Sequence, residues 1–525
     1  MTLENQSYGA VRIESSRFGK PGVLITGLVY LFVFIIFLVA GYKGPEVFHN
    51  HDAAQTLSIN VDEYAAMWET ELSMISPENQ LLWCTSRISR PNSIPLNQDF
   101  SYVQSLVINV RGSNIDLHDV LKPAPEDDIA IVENFFADRV VEFQPGSHWS
   151  SEVTLLNMHS VPYLYYEIII QFENVGDLTP MKGLPLSDDS SMQADFRLTY
   201  VEADYTVFEM KWKTAFLFIT ILAMFFPRLN RGGSCSSVGC FASFSMIFEG
   251  FFAKLCTVPR KQWSYQQRWM GVLLIALFFF NDPLFRYSIY NDSRTSEILS
   301  AIYIGWMGAF LCLLMLLWLC ALDETASVAN AGGKKLCGSA LCQRHVAKFS
   351  FMFVYWFWFT TLFIYVRFQQ DINPAWSEAR SDPRFMPSVA FSAILVTVYD
   401  IWFLLYTCKA LREIRRMSPP FLFVFVITFF TFAATCVGMY SGFMYPQVAS
   451  STDFLAMTAM YNLYVWTMAF IYAPLSSNGE GGDYGDFDLD VDSSVGVGGG
   501  VGGGDGGDGV GTTLQTRGGM EDMQL

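Results

Sequence analysis

Three consecutive residues, Asn281, Asp282 and Pro283, carry the sharpest chemical signal in the 525-residue sequence. They interrupt an apolar stretch, 269–285, that is otherwise built to cross a bilayer. An aspartate within a span is costly and normally faces a bundle interior or water. Pro283 removes a backbone donor and frees a carbonyl, so the helix is expected to kink or unwind there. Counted from Arg268, Asp282 lies about 21 Å along such a helix, in the outer part of the membrane. Two readings follow. One is a polar latch that shapes a cavity opening toward the lumen; the other is a structural kink whose Asp282 pairs with Arg286 or with an adjacent helix. A second intramembrane acid, Asp400, stands in the inner half of a later span, and Asn462 and Thr467 in the last span read as interhelical hydrogen bonders. Asn281, Asp282, Pro283, Asp400 and Asn462 are thus the candidate cavity and kink residues. A proton relay would need a chain of titratable partners, and the spans hold neither a histidine nor a second carboxylate series.

Other chemistry is thinly represented. There is no nucleophile elbow, P-loop, dinucleotide fingerprint, His-Glu-x-x-His or Cys-x-x-Cys pair, so no enzyme, cofactor or metal is expected, with room left for a bound lipid. Cys235, Cys240, Cys256, Cys337 and Cys342 sit in two basic loops. Zinc, palmitoylation and free thiols are the alternatives; palmitoylation stands ahead of zinc because only His345 lies nearby. Between them, Phe241, Phe244, Phe248, Phe251, Phe252 and Leu255 fall on one helical face, the pattern of an interfacial helix. Asn291-Asp292-Ser293 is a glycosylation acceptor. The Gly- and Asp-rich segment 475–525 should be disordered; within it, Tyr484 and Phe487 fit a tyrosine-based signal for cytosolic sorting adaptors.

The elements that must position these residues follow from composition. With 51% hydrophobic and only 16% charged residues the chain needs lipid, since a soluble domain carries about a quarter charged residues. Eight stretches can cross: 22–40, 208–226, 269–285, 298–322, 349–366, 388–408, 421–440 and 454–472. Lys211 and Lys213 at the mouth of the second are expected to snorkel to the interface. Seventeen Lys and Arg fall in one set of flanking segments and five in the opposite short loops, which predicts both termini in the cytosol. The segment 41–211 carries 26 acidic residues against nine basic ones, so nucleic acid is not a partner. Short runs rich in β-branched and aromatic residues, such as 102–110, 163–172 and 196–201, predict an antiparallel β-sandwich between the first two spans. It holds one cysteine, Cys84, and so cannot close an internal disulfide. Its last strand runs almost directly into the second span.

Several motifs recur in one known family: Gly41-Tyr42-Lys43-Gly44-Pro45-Glu46-Val47, Gln267-Arg268-Trp269-Met270, Phe280-Asn281-Asp282-Pro283-Leu284-Phe285, and Asn462-Leu463-Tyr464 with 467–474. On these the chain resembles the transmembrane protein 181 family, whose membrane region belongs with the Wntless-like proteins and pairs seven helices with a Golgi-dynamics-type β-sandwich. The resemblance implies a cytosolic segment 1–20, an anchor 21–40, a lumenal sandwich 41–207, a seven-helix bundle 208–474 and a cytosolic tail 475–525. Wntless-like relatives escort a lipidated secreted protein, so the expected function is a non-enzymatic receptor or sorting escort in the Golgi, endosomes or plasma membrane. Its partners would be membrane lipids, a lumenal protein or lipidated ligand, and sorting adaptors. A signalling receptor acting through 409–419, and behind it a transporter, are the alternatives.

Overall fold

The structure, a computed structural model, describes residues 20–51, 57–60, 65–72, 75, 78–79, 82–90, 95–97, 99–113, 129–158, 164–173, 191–225, 251, 265–290, 293–330, 338–372, 385–412, 419–444 and 450–472. The protein is a polytopic helical membrane protein with an antiparallel β-sandwich inserted after its first helix. That helix, α1 (Lys20–Tyr42), leaves Leu24, Leu28, Phe32 and Ile35 bare along its outer side. An apolar surface of that extent requires lipid around it.

Among the described residues nine strands follow: β1 (Phe48–His51), β2 (Leu57–Asn60), β3 (Ala65–Leu72), β4 (Leu82–Ile88), β5 (Phe100–Ser113), β6 (Ile129–Phe143), β7 (Val153–Met158), β8 (Tyr165–Glu173) and β9 (Ser191–Val201). One sheet runs β1-β9-β4-β7, with β2 also on β9, and the other runs β3-β8-β5-β6. The expectation of short strands fails at β5 and β6, which are 14 and 15 residues long. The two strands pair from Phe100–Phe143 to Ser113–Ile129, with a register shift between Val110 and Arg111. Period-two alternation sets the core. Trp68, Tyr102, Leu106, Ile108, Ile168, Ile170 and Phe172 point inward from one sheet, and Cys84, Leu156, Phe196 and Leu198 from the other. Trp68 stacks on Phe196 across the layers at 4.3 Å between ring centroids. Burial pushes the Cys84 thiol up to about 12 and leaves it inert.

The bundle comprises α2 (Ala203–Phe225), α3 (Tyr265–Phe280), the single turn α4 (Phe285–Ile289), α5 (Ser293–Asn330), α6 (Gly338–Ile372), α7 (Phe385–Arg412), α8 (Pro419–Met444) and α9 (Ser451–Tyr472). Six helical segments of the described residues meet a strict length and hydropathy test for spanning, and Leu422–Gly438 in α8 is a shorter apolar run. α2 falls outside that count because Glu209, Lys211 and Lys213 dilute it. α5 and α9 are the central helices: α5 packs on α3, α6 and α7, and α9 on α1, α2, α3 and α8. α1 therefore lies along the bundle and is more than a tether.

Sandwich and bundle meet at a tight joint. β1 and β9 pair Phe48 with Val201, and the Glu202 N–H continues the ladder to the Val47 carbonyl at 2.9 Å. One residue later α2 begins. Val47, Val201 and Tyr205 form a small core with Phe48 and Phe454, and the Ser451 hydroxyl donates to the Pro45 carbonyl. Asn79 Nδ2 donates to the Val201 carbonyl at 2.7 Å, and the Tyr290 hydroxyl to Glu78 at 2.6 Å. Gly41 permits this approach: a Cβ there would stand 2.8 Å from Thr452 Cα. Gly41→Val should therefore push α1 from α9 and cost about 1–3 kcal/mol, read as a lower melting temperature of the purified protein in detergent; an unchanged melting temperature would show that the helices separate freely.

Candidate functional site

α3 ends where the sequence places its polar triplet. The Asn281 N–H still bonds to the Leu277 carbonyl at 3.0 Å, but Asp282 turns to φ +52° and its N–H bonds to Phe279 at 3.0 Å. Left-handed backbone is more accessible to aspartate than to most residues, and Pro283 next to it cannot continue a helix. The 16 residues of α3 rise about 24 Å, so α4 completes the crossing after the break.

The side chain that holds this turn is one the sequence assigned elsewhere. Lys213 does not snorkel. Its ammonium is buried, 2.9 Å from Glu209 and 3.4 Å from Asp282, and it lies 3.6 Å from the centre of the Phe285 ring and 4.8 Å from that of Tyr303. Two carboxylates hold the charge inward, and the ring faces add cation–π attraction. Glu209 precedes Lys213 by four residues, the favourable order on a helix. Asp282 thus pairs with an adjacent helix, and Arg286 does not enter the contact.

One residue before the turn, Asn281 and Asn462 form a reciprocal amide pair. Each Nδ2 donates to the other's Oδ1 at 2.9 Å, and both side chains are essentially fully buried. Asn281 Nδ2 also reaches Thr220 Oγ1 at 3.1 Å, and Thr220 donates to the Phe216 carbonyl at 2.7 Å. α2, α3 and α9 are stitched together here.

Asp400 stands apart. It lines a separate cavity of about 10 Å³ between α5, α6, α7 and α8, where Cys436 Sγ donates to its Oδ1 at 3.7 Å. Toward the far ends of α5 and α6, Asp323 and Lys348 make a buried ion pair at 2.5 Å, with the Lys348 ammonium 5.0 Å from the Tyr406 ring centre. Lys348 is one of the seventeen basic residues of the flanking segments. Its missed signal was an acid just past one span and a base just before the next.

On the sandwich, the outward face of β3-β8-β5-β6 leaves Met67, Val103, Phe136 and Val140 bare, with Phe136 74% exposed. Beside them Glu69, Glu71 and Glu167 crowd together on β3 and β8. Hydrogen bonding to Glu167, then desolvation and repulsion, raises the Glu69 carboxyl above its usual range, and Arg111 offsets only part of this. Asn291, Tyr484, Phe487, Cys235, Cys240, Cys256 and Cys337 lie outside the described residues, as do the side chain of Cys342 and the 241–255 face apart from Phe251, which packs into the bundle core.

A folded sandwich strapped by two strands to a multi-helix bundle with internal ion pairs defines an integral membrane protein whose sandwich and helices are one unit. Its membrane part is described by a known family: the Wntless-like transmembrane domain matches residues 202–476, starting at the joint, and the chain belongs to that family. Beyond it, the chain is 22% identical over 466 residues, 85% of each chain, to a Homo sapiens protein described as transmembrane protein 181.

Removing Lys213 alone strands two buried carboxylates. Lys213→Met should cost about 3–5 kcal/mol, and adding Glu209→Gln and Asp282→Asn should recover part of it. Thermal unfolding of the single and triple variants checks this; no recovery would mean that the triad is not coupled. For Glu69, whose raised value means that the native state takes up a proton more readily than the unfolded chain, stability gains as pH falls through that value and the gain is complete below the ordinary ~4.3. Glu69→Gln should flatten this pH slope of the melting temperature.

Proposed function

We propose that the protein is a non-enzymatic receptor or sorting escort of the secretory and endosomal membranes, binding a protein or lipidated ligand on its β-sandwich and passing the event to its helices. The observation that carries this reading is the joint: strand β9 becomes α2 across one residue, while Ser451 at the head of α9 holds the chain leaving α1. A ligand that shifts β9 must move α2, and with it the Lys213 triad and the Asn281–Asn462 pair. The bare apolar row beside the crowded carboxylates on the outward sheet is the surface that supports binding there.

An acyl chain is a different matter. Ligand pockets run to roughly 300–1,000 Å³, against about 10 Å³ for the cavity between α5 and α8. A lipidated ligand would meet the sandwich first, and its chain would need the helices to part. The basic bias of one set of loops favours a lumenal or extracellular sandwich and cytosolic termini.

The two halves of this reading have separate tests. Deleting 475–525, or Tyr484→Ala, should alter steady-state distribution and internalisation; unchanged traffic would remove the sorting half. Phe136→Ser with Val140→Ser, both outward, should lower several-fold the yield of secreted proteins cross-linked to the intact protein in living cells. Equal yields would move binding off this face.

A further inference from the structure

Every large hydrophobic side chain left exposed on a described strand belongs to one sheet: Met67 on β3, Val103 on β5, and Phe136 and Val140 on β6. The described side chains on the strands of the other sheet include none. Register joins three of the strands' apolar positions. Phe136 lies beside Val107, Val107 beside Gln171 and Gln171 beside Met67, so one row crosses all four strands, about 14 Å at the usual strand spacing. The next two rows on this face end on β3 in Glu69 and Glu71, beside Ile169 and Glu167.

Charge is also arranged differently on the two sheets. On the other sheet acid meets base: Asp195 stands opposite Arg87, which reaches Glu152 at 3.7 Å. Here Glu71 stands opposite Glu167, and like charges directly opposite one another destabilise a sheet. Arg111 reaches Glu167 at 3.2 Å, yet the Glu69 carboxyl is still held above its usual range by its neighbours. Bare apolar side chains and facing carboxylates each work against the fold in water, and one face carries both.

A partner that answers both must bring apolar surface and positive charge together. An acyl chain alone would use the apolar row and leave the acids unmet. A second copy would set carboxylates against carboxylates, since 41–211 carries 26 acidic residues against nine basic ones, and an anionic lipid surface is repelled in the same way. We infer that the outward face of β3-β8-β5-β6 docks a basic protein segment, with apolar side chains along the row from Phe136 to Met67 and a Lys or Arg over Glu69 and Glu71. This names the partner's chemistry for the receptor reading and rests on that reading. Apolar contact supplies the buried area, while the charges steer the encounter and fix its register.

The test uses the full chain in phosphatidylcholine nanodiscs, with empty nanodiscs as the blank, and three fluorescent peptides of equal length that alternate Leu-Lys, Leu-Glu or Ser-Lys. Anisotropy should show the Leu-Lys peptide bound several-fold tighter than the other two, and more weakly as salt rises. Glu69→Gln with Glu71→Gln, which keeps the Arg111–Glu167 pair, should lower that affinity several-fold and flatten the salt dependence. Asp195→Asn with Glu152→Gln removes the same charge from the other side of the sandwich and should change neither. Phe136→Ser with Val140→Ser should weaken binding and keep the salt slope. Equal binding of the Leu-Glu peptide, no binding of any peptide, or equal affinities for the two acid-neutralised variants would overturn the basic partner. The receptor reading fails separately, losing this face only if Phe136→Ser with Val140→Ser leaves the cross-linking of secreted proteins unchanged.

Discussion

Inside a bilayer a polar group has no water to fall back on, so every charge must be answered by another side chain or by a bound ion. The Lys213 ammonium shows how far this rule organises the protein. It sits among Glu209, Asp282 and the rings of Phe285 and Tyr303, and in doing so fixes a left-handed turn that α3 could not otherwise stop on. That turn redirects the chain into α4, whose following residue, Tyr290, reaches Glu78 of the sandwich. One buried cation thus braces the break in α3 and the approach of α4 to the sandwich. The Asn281–Asn462 pair below it and the Asp323–Lys348 pair at the other end follow the same rule with different partners.

The sandwich obeys the opposite economy. Water surrounds it, so it exposes carboxylates freely and relies on an apolar core of aromatic and β-branched residues. With Cys84 its one cysteine, burial and the two ladders hold it together without a cross-link. Its attachment is stiff because β1 and β9 pair with each other at the very point where their chains enter the helices. A single flexible strand there would let the domain swing; two hydrogen-bonded strands plus the Val47, Val201 and Tyr205 core resist it.

Much of this was legible in the sequence because it rests on local patterns. Apolar length marked the helices, alternation marked the strands, and Asn281-Asp282-Pro283 marked the break. The partners were not legible. Asp282 pairs with a residue 69 positions earlier, and Asn281 with one 181 positions later. Such contacts follow from how helices pack, which periodicity does not encode. Lys213 was misassigned for the same reason: position near a span end favours snorkelling, and only the fold brings two carboxylates and two rings close enough to reverse that preference. The long hairpin of β5 and β6 was missed because its alternation is broken by a bulge.

The same rule separates the two intramembrane acids. Asp282 is answered by a lysine, and its surroundings are filled by amide and aromatic groups. Asp400 is answered by a thiol alone, beside a hydroxyl without a partner and a space one water across. If both acids were structural, packing would be expected to treat them alike, since an unpaired polar group is costly wherever it lies in the membrane. The helices close tightly on one and leave a small space beside the other. Movement of α7 against α8 at Asp400 breaks no ion pair among the described side chains, whereas movement of α2 against α3 must break the one between Lys213 and Asp282.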